Sequence, residues 1–80
     1  MSSVTPPMIG TWTVTIHAVR PLTIHSDLYY ELHVTRPEHP EQVLAIRAPQ
    51  HAARTTPVEG QTVIVTFLMG QVTNLEQAVP

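Results

Sequence analysis

Thr11-Trp12-Thr13-Val14-Thr15-Ile16-His17 is the stretch on which the fold turns. Apolar and polar residues alternate one for one, and nearly every one is β-branched or aromatic. That is the period of a strand with one buried face. Trp12, Val14 and Ile16 are expected to point inward, and Thr13, Thr15 and His17 outward.

Toward the C-terminus, Arg20-Pro21 is expected to end this strand, because proline has no N–H to give a ladder. A loop through His25, Ser26 and Asp27 follows, with a turn centred near residues 23 to 24. Leu28 to Thr35 alternates again, with Tyr30, Leu32 and Val34 inward and Tyr29, Glu31 and His33 outward. Pro37 and Pro40 punctuate the next turn. Val43 to Ala48 makes a third strand, with Leu44 and Ile46 inside and Val43, Ala45 and Arg47 outside. Pro49 suits the first position of a single helical turn through Arg54. Pro57-Val58-Glu59-Gly60-Gln61 is a turn into Val63 to Met69, a strand apolar on both faces apart from its threonines. Gly70 marks a bulge or sharp bend, and Val72 to Leu75 a short last strand. Residues 1–9, with Pro6 and Pro7, read as a flexible N-terminal tail, 10–77 as one domain and 78–80 as a C-terminal tail.

Eighty residues suffice for one domain. With no cysteine, disulfides and a thiolate zinc site are excluded, so stability rests on packing, barrel closure or association. The N-terminal residues lack a basic stretch followed by an apolar run, and no run of about 18 apolar residues is present to span a bilayer. A cytoplasmic protein without membrane contact is expected. Charged residues are 12% of the chain, all four basic ones are Arg, and the formal charge is −2. A strong nucleic-acid binder carries a larger basic footprint. Four Arg and five imidazoliums against six carboxylates would make +3, so the sign of the charge depends on pH.

Five short strands without a long helix predict an all-β fold, a small five-stranded antiparallel barrel, since closure removes exposed edges. The layout resembles the OB (oligonucleotide/oligosaccharide-binding) fold: a long first strand, strands two and three as a hairpin, a short connector, then a fourth strand entered through glycine. Val58-Glu59-Gly60-Gln61-Thr62-Val63-Ile64-Val65 is similar to the turn that opens such strands. An SH3-like barrel uses nearly the same turn and is the alternative. The resemblance implies a binding face on strands two and three, flanked by the first-to-second and fourth-to-fifth strand loops.

On that face Tyr29, His33 and Arg47 are residue types that stack on bases and contact phosphates, with His17 adjoining, placed beside Tyr29 or Glu31. Arg20 and Arg54 are expected in loops, reaching a backbone or merely keeping the surface soluble. The plainer alternative makes Tyr29 a shield for sheet surface and Arg47 a solvated charge. Weak binding of single-stranded nucleic acid is one functional reading. The other is a protein-interaction or homo-oligomer module, because Ile64 and Leu68 lie on the outer side of strand four, where either the 49–56 connector or a second subunit would cover them.

His17, His25 and His33 recur every eight residues, but no pair has the tight spacing of metal ligands, and neither metal nor cofactor is expected. His25-Ser26-Asp27 holds the atoms of a catalytic triad, yet neighbours in sequence rarely converge in that geometry. Glu38, His39 and Glu41 read as solvated turn residues. No enzyme is expected.

Overall fold

The computed structural model describes residues 9–78. Most of residues 1–9 and 78–80, the expected tails, lie outside that range. Ile9 and Ala78 do not: Ile9 opens the first strand opposite Leu68, and the Ala78 N–H donates to the Thr62 carbonyl at 3.0 Å.

Five strands form, β1 (Ile9–Ile24), β2 (Asp27–Arg36), β3 (His39–Pro49), β4 (Thr62–Leu68) and β5 (Gln71–Gln77), with a single 3-10 turn at Gln50–Ala52. They make one antiparallel sheet in the order β3-β2-β1-β4-β5. Three consecutive strands with the fourth returning beside the first is a Greek key. The sheet curls until its two ends, β3 and β5, touch without a hydrogen-bonded ladder between them. The result is an open barrel. The connector after β3 ties to β5 through a parallel bridge of Ala53 with Leu75, where the Arg54 N–H donates to the Leu75 carbonyl at 2.8 Å.

Alternation supplies the core. Val14, Ile16, Leu32, Val34, Ile46, Val63, Val65, Phe67, Val72 and Leu75 are all buried, with Trp12, Tyr30 and Leu44 packed against them half-buried. Trp12 meets Phe67 edge to face, ring centroids 5.1 Å apart, and the Arg36 guanidinium lies 4.6 Å from the Trp12 ring centroid. Arg36 therefore serves the barrel end rather than an open surface.

Two expectations about β1 need correction. The strand does not stop at Arg20-Pro21 but runs on to Ile24, with Pro21 opposite Tyr30. The reason is that β4 pairs only with Ile9–Thr15, so the later half of β1 has a free side toward which a proline nitrogen can face without breaking a ladder. Arg20 is consequently a strand residue opposite Glu31, not a loop residue. The turn is also two residues later than expected. His25 and Ser26 form a two-residue hairpin loop, both with positive φ (51° and 70°). A bulge at His17 then separates the Ile16–Val34 pair from the Ala18–His33 pair. His17 is thus placed near Thr35, whose hydroxyl shares a 2.7 Å hydrogen bond with its Nε2, and not beside Tyr29 or Glu31. Beyond the bulge the inward parity switches, so Val19 packs against the core.

Gly70 sits at a sharp bend, as its residue type implies: Met69 (φ 55°) and Gly70 (φ 77°) make the two-residue β4–β5 turn. The bulge lies elsewhere, at Thr73 between the Thr66–Asn74 and Phe67–Val72 pairs. Among the described residues no helix is long and apolar enough to cross a membrane.

Positive φ at both turn residues is the type I′ geometry that Asn-Gly adopts at least cost. The double replacement His25→Asn with Ser26→Gly is expected to stabilise the fold by about 1 kcal/mol. A urea-unfolding midpoint that stays put or falls would contradict the turn assignment.

Candidate functional site

The register of β1, β2 and β3 arranges the outer face in rows that cross all three strands. Leu22, Tyr29 and Pro49 form one row, Arg20, Glu31 and Arg47 the next, and Ala18, His33 and Ala45 a third. Residues in such rows share a face because directly opposed side chains point the same way. The rows between them, such as Val19, Leu32 and Ile46, face the core.

The middle row is charged. Glu31 stands on β2 between two guanidiniums: Arg20 Nη1 lies 4.0 Å from its Oε1, and Arg47 Nε lies 3.8 Å from its Oε2. The Glu31 side chain is 21% exposed, the Arg20 and Arg47 side chains 79% and 59%. These separations exceed the 2.7–2.9 Å or so of a charge-assisted hydrogen bond, so the pairs are loose.

Beside these rows, where β3 and β5 fail to zip together, a cleft of about 570 Å³ opens. Tyr29, Glu31, Arg47 and Pro49 line one wall, and Gly70, Gln71 and Val72 of the β4–β5 hairpin line the other. Ile46 and Phe67 reach it from the core, and Ile24 borders it at the end of β1. A smaller hollow of about 350 Å³ beside Ser26, Asp27 and His51 shares Tyr29 and Pro49 with it. The half-buried Tyr29 is therefore the aromatic ring common to both hollows.

The candidate residues separate accordingly. Tyr29 and Arg47 come together at the cleft, and Arg20 adjoins it through Glu31. His33 is exposed one row further along and does not line the cleft. His17 is exposed at the bulge, engaged with Thr35. Arg54 is remote from these rows, donating from Nε to Asn74 Oδ1 on β5 at 3.1 Å. With Arg36 over Trp12, the four Arg are distributed rather than gathered. Ile64 is half-buried on β4 between Thr13 and Glu76, and Leu68, 49% exposed, lies opposite Ile9. The 3-10 turn packs on β2 and β5.

Three parts of the site escape sequence reasoning. Pro49 suits a helix start, Gln71 falls between two strands without a marker, and Glu31 is an outward residue without a role. No local signal distinguishes them, because the pairing register alone brings them to the cleft. Among the described residues no group of three or more His and carboxylate side chains is placed to hold a metal ion, and His39 and Glu41 form only an exposed contact at 3.6 Å.

The architecture is that of a small Greek-key open barrel with a lateral cleft on its β2–β3 side. No family model, no curated protein and no solved structure matches the chain.

Loose ion pairs with exposed arginines contribute little to folding. Arg20→Ala is expected to lower stability by less than about 0.5 kcal/mol, whereas Phe67→Ala, emptying the core under the cleft, costs about 3–5 kcal/mol. Urea unfolding of both variants checks this. Comparable losses in the two would mean that the charged row holds the fold together.

Proposed function

We propose that this chain is an OB-type binding module that takes a short length of single-stranded nucleic acid, weakly, along the cleft over Tyr29. The observation that carries the reading is the position of the cleft between the outer face of β2–β3 and the β4–β5 turn, the flank on which OB-type barrels hold extended ligands. Its chemistry suits a base followed by a phosphate. The Tyr29 ring offers a stacking surface, Arg47 stands beside it, and Gln71 faces them from β5 with a side-chain amide able to donate and accept.

Affinity is limited by charge. Only Arg20 and Arg47 belong to this face, and Glu31 offsets one of them. Two phosphate contacts on a single strand correspond to a log–log salt slope of about −1.4, shallow for a nucleic-acid binder. Fluorescence anisotropy of a labelled oligothymidylate in low salt measures both affinity and slope. Removing the stacking ring by Tyr29→Ala is expected to weaken binding about tenfold, within the ~1–3 kcal/mol that stacking of one base contributes. Absence of binding at low salt, or binding indifferent to Tyr29→Ala, would remove the proposal.

A second reading, self-association, is favoured by a separate patch. Ile9 (73% exposed), Leu68 and Met69 (74% exposed) are neighbours where β1 begins and β4 ends. Contiguous exposed apolar surface of this kind is characteristic of interfaces. On this reading the protein forms dimers in sedimentation velocity, and Leu68→Glu returns them to monomers; Ile64→Glu, half-buried on the same strand, does so less. A monomer at every concentration tested would exclude it.

A further inference from the structure

Glu31 is in an odd place for a ligand-binding face. It is the one carboxylate in the outer rows that cross all three of β1, β2 and β3, it lines the cleft, and it stands between the two guanidiniums that a polyanion would need. Structural duty does not explain it. At 3.8–4.0 Å, with one partner of each pair largely exposed, the two ion pairs add little to stability. Nor is Glu31 required to keep buried positive charge company, because Arg20 and Arg47 are solvated without it.

We propose that Glu31 is an internal stand-in for a phosphodiester: in the free protein its carboxylate engages Arg20 and Arg47, the two guanidiniums that turn to a backbone phosphate in the complex. The inference rests on the nucleic-acid reading above and names the residue that sets the affinity of that site. A carboxylate presents two anionic oxygens to the guanidiniums on either side, as a phosphodiester does with its two non-bridging oxygens. The loose contacts mean that both arginines can turn toward an incoming strand without losing a tight bond. The carboxylate stays behind, however, and its charge opposes the ligand. Binding is thereby held weak and readily reversible. In a face with only two cations, one fixed anion has a proportionately large effect.

Glu31→Gln tests this, since it keeps the shape of the side chain and removes its charge. Affinity for oligothymidylate in low salt is expected to rise on the order of tenfold, and the salt slope to steepen by about 0.7 for each additional phosphate neutralised. Two controls make the result specific. Glu76→Gln removes the same charge on β5, away from the rows, and is expected to leave affinity within about twofold, as a screened distant charge should. In Glu31→Gln combined with Arg47→Ala the increase should shrink, because one of the two arginines that profit is absent. Urea unfolding of each variant verifies that the fold is retained.

The outcomes separate the two claims. If the native protein binds and Glu31→Gln binds no tighter, the stand-in role is overturned while the binding reading survives. If Glu31→Gln and Glu76→Gln tighten binding equally, overall charge is responsible and the role is likewise overturned. If neither native protein nor Glu31→Gln binds, both claims fall. Binding detectable only after Glu31→Gln supports the opposition between this carboxylate and a phosphate, while the reading of the native protein as a binder is removed.

Discussion

β1 belongs to two ladders at once, and everything else in the structure depends on how it is divided between them. Its first half, Ile9–Thr15, pairs with β4, while Thr15–Ile24 pairs with β2. A single bulge at His17 marks the change of partner. Bulges increase local twist and re-aim side chains. Here the consequence is that even-numbered residues face the core before the bulge and Val19 does so just after it, with Pro21 and Thr23 exposed, as a strand of 16 residues runs from one ladder into the other. The free side left on the later half is what tolerates Pro21.

Curling the sheet about β1 brings β3 toward β5 without joining them. The gap is the functional opportunity of the fold. Ile46, Phe67 and Val72, buried themselves, form the apolar floor beneath a cleft whose rim is polar. The rim depends on register. A slip of one residue between β1 and β2, or between β2 and β3, would turn Tyr29 and Arg47 inward and destroy both core and cleft together. Core burial thus fixes the site indirectly, by making every alternative pairing costly.

The alternation in Thr11–His17, Leu28–Thr35 and Val43–Ala48 was legible because period two needs no tertiary information. Inward and outward faces followed from it for nearly every residue outside the bulges. Three things were not legible, for physical reasons. His25-Ser26 does not advertise a type I′ turn, since neither residue is the glycine or asparagine that adopts positive φ cheaply, and tertiary pairing imposes the conformation instead. Pro21 signals a break only if the strand is paired on both sides at that point, which sequence does not say. The placing of Glu31 exists only across strands, between an arginine 11 residues before it and another 16 after it, and emerges only once the register is fixed.

The central claim is that the β2–β3 face and the β4–β5 turn together form the ligand surface. Amide chemical-shift mapping during titration with an unlabelled oligothymidylate tests it residue by residue. The account predicts that the largest shifts fall at Tyr29, Glu31, Arg47 and Gly70–Val72, with Ile64 and Glu76 quiet. Shifts centred on Ile9, Leu68 and Met69, or none anywhere along the chain, would contradict it.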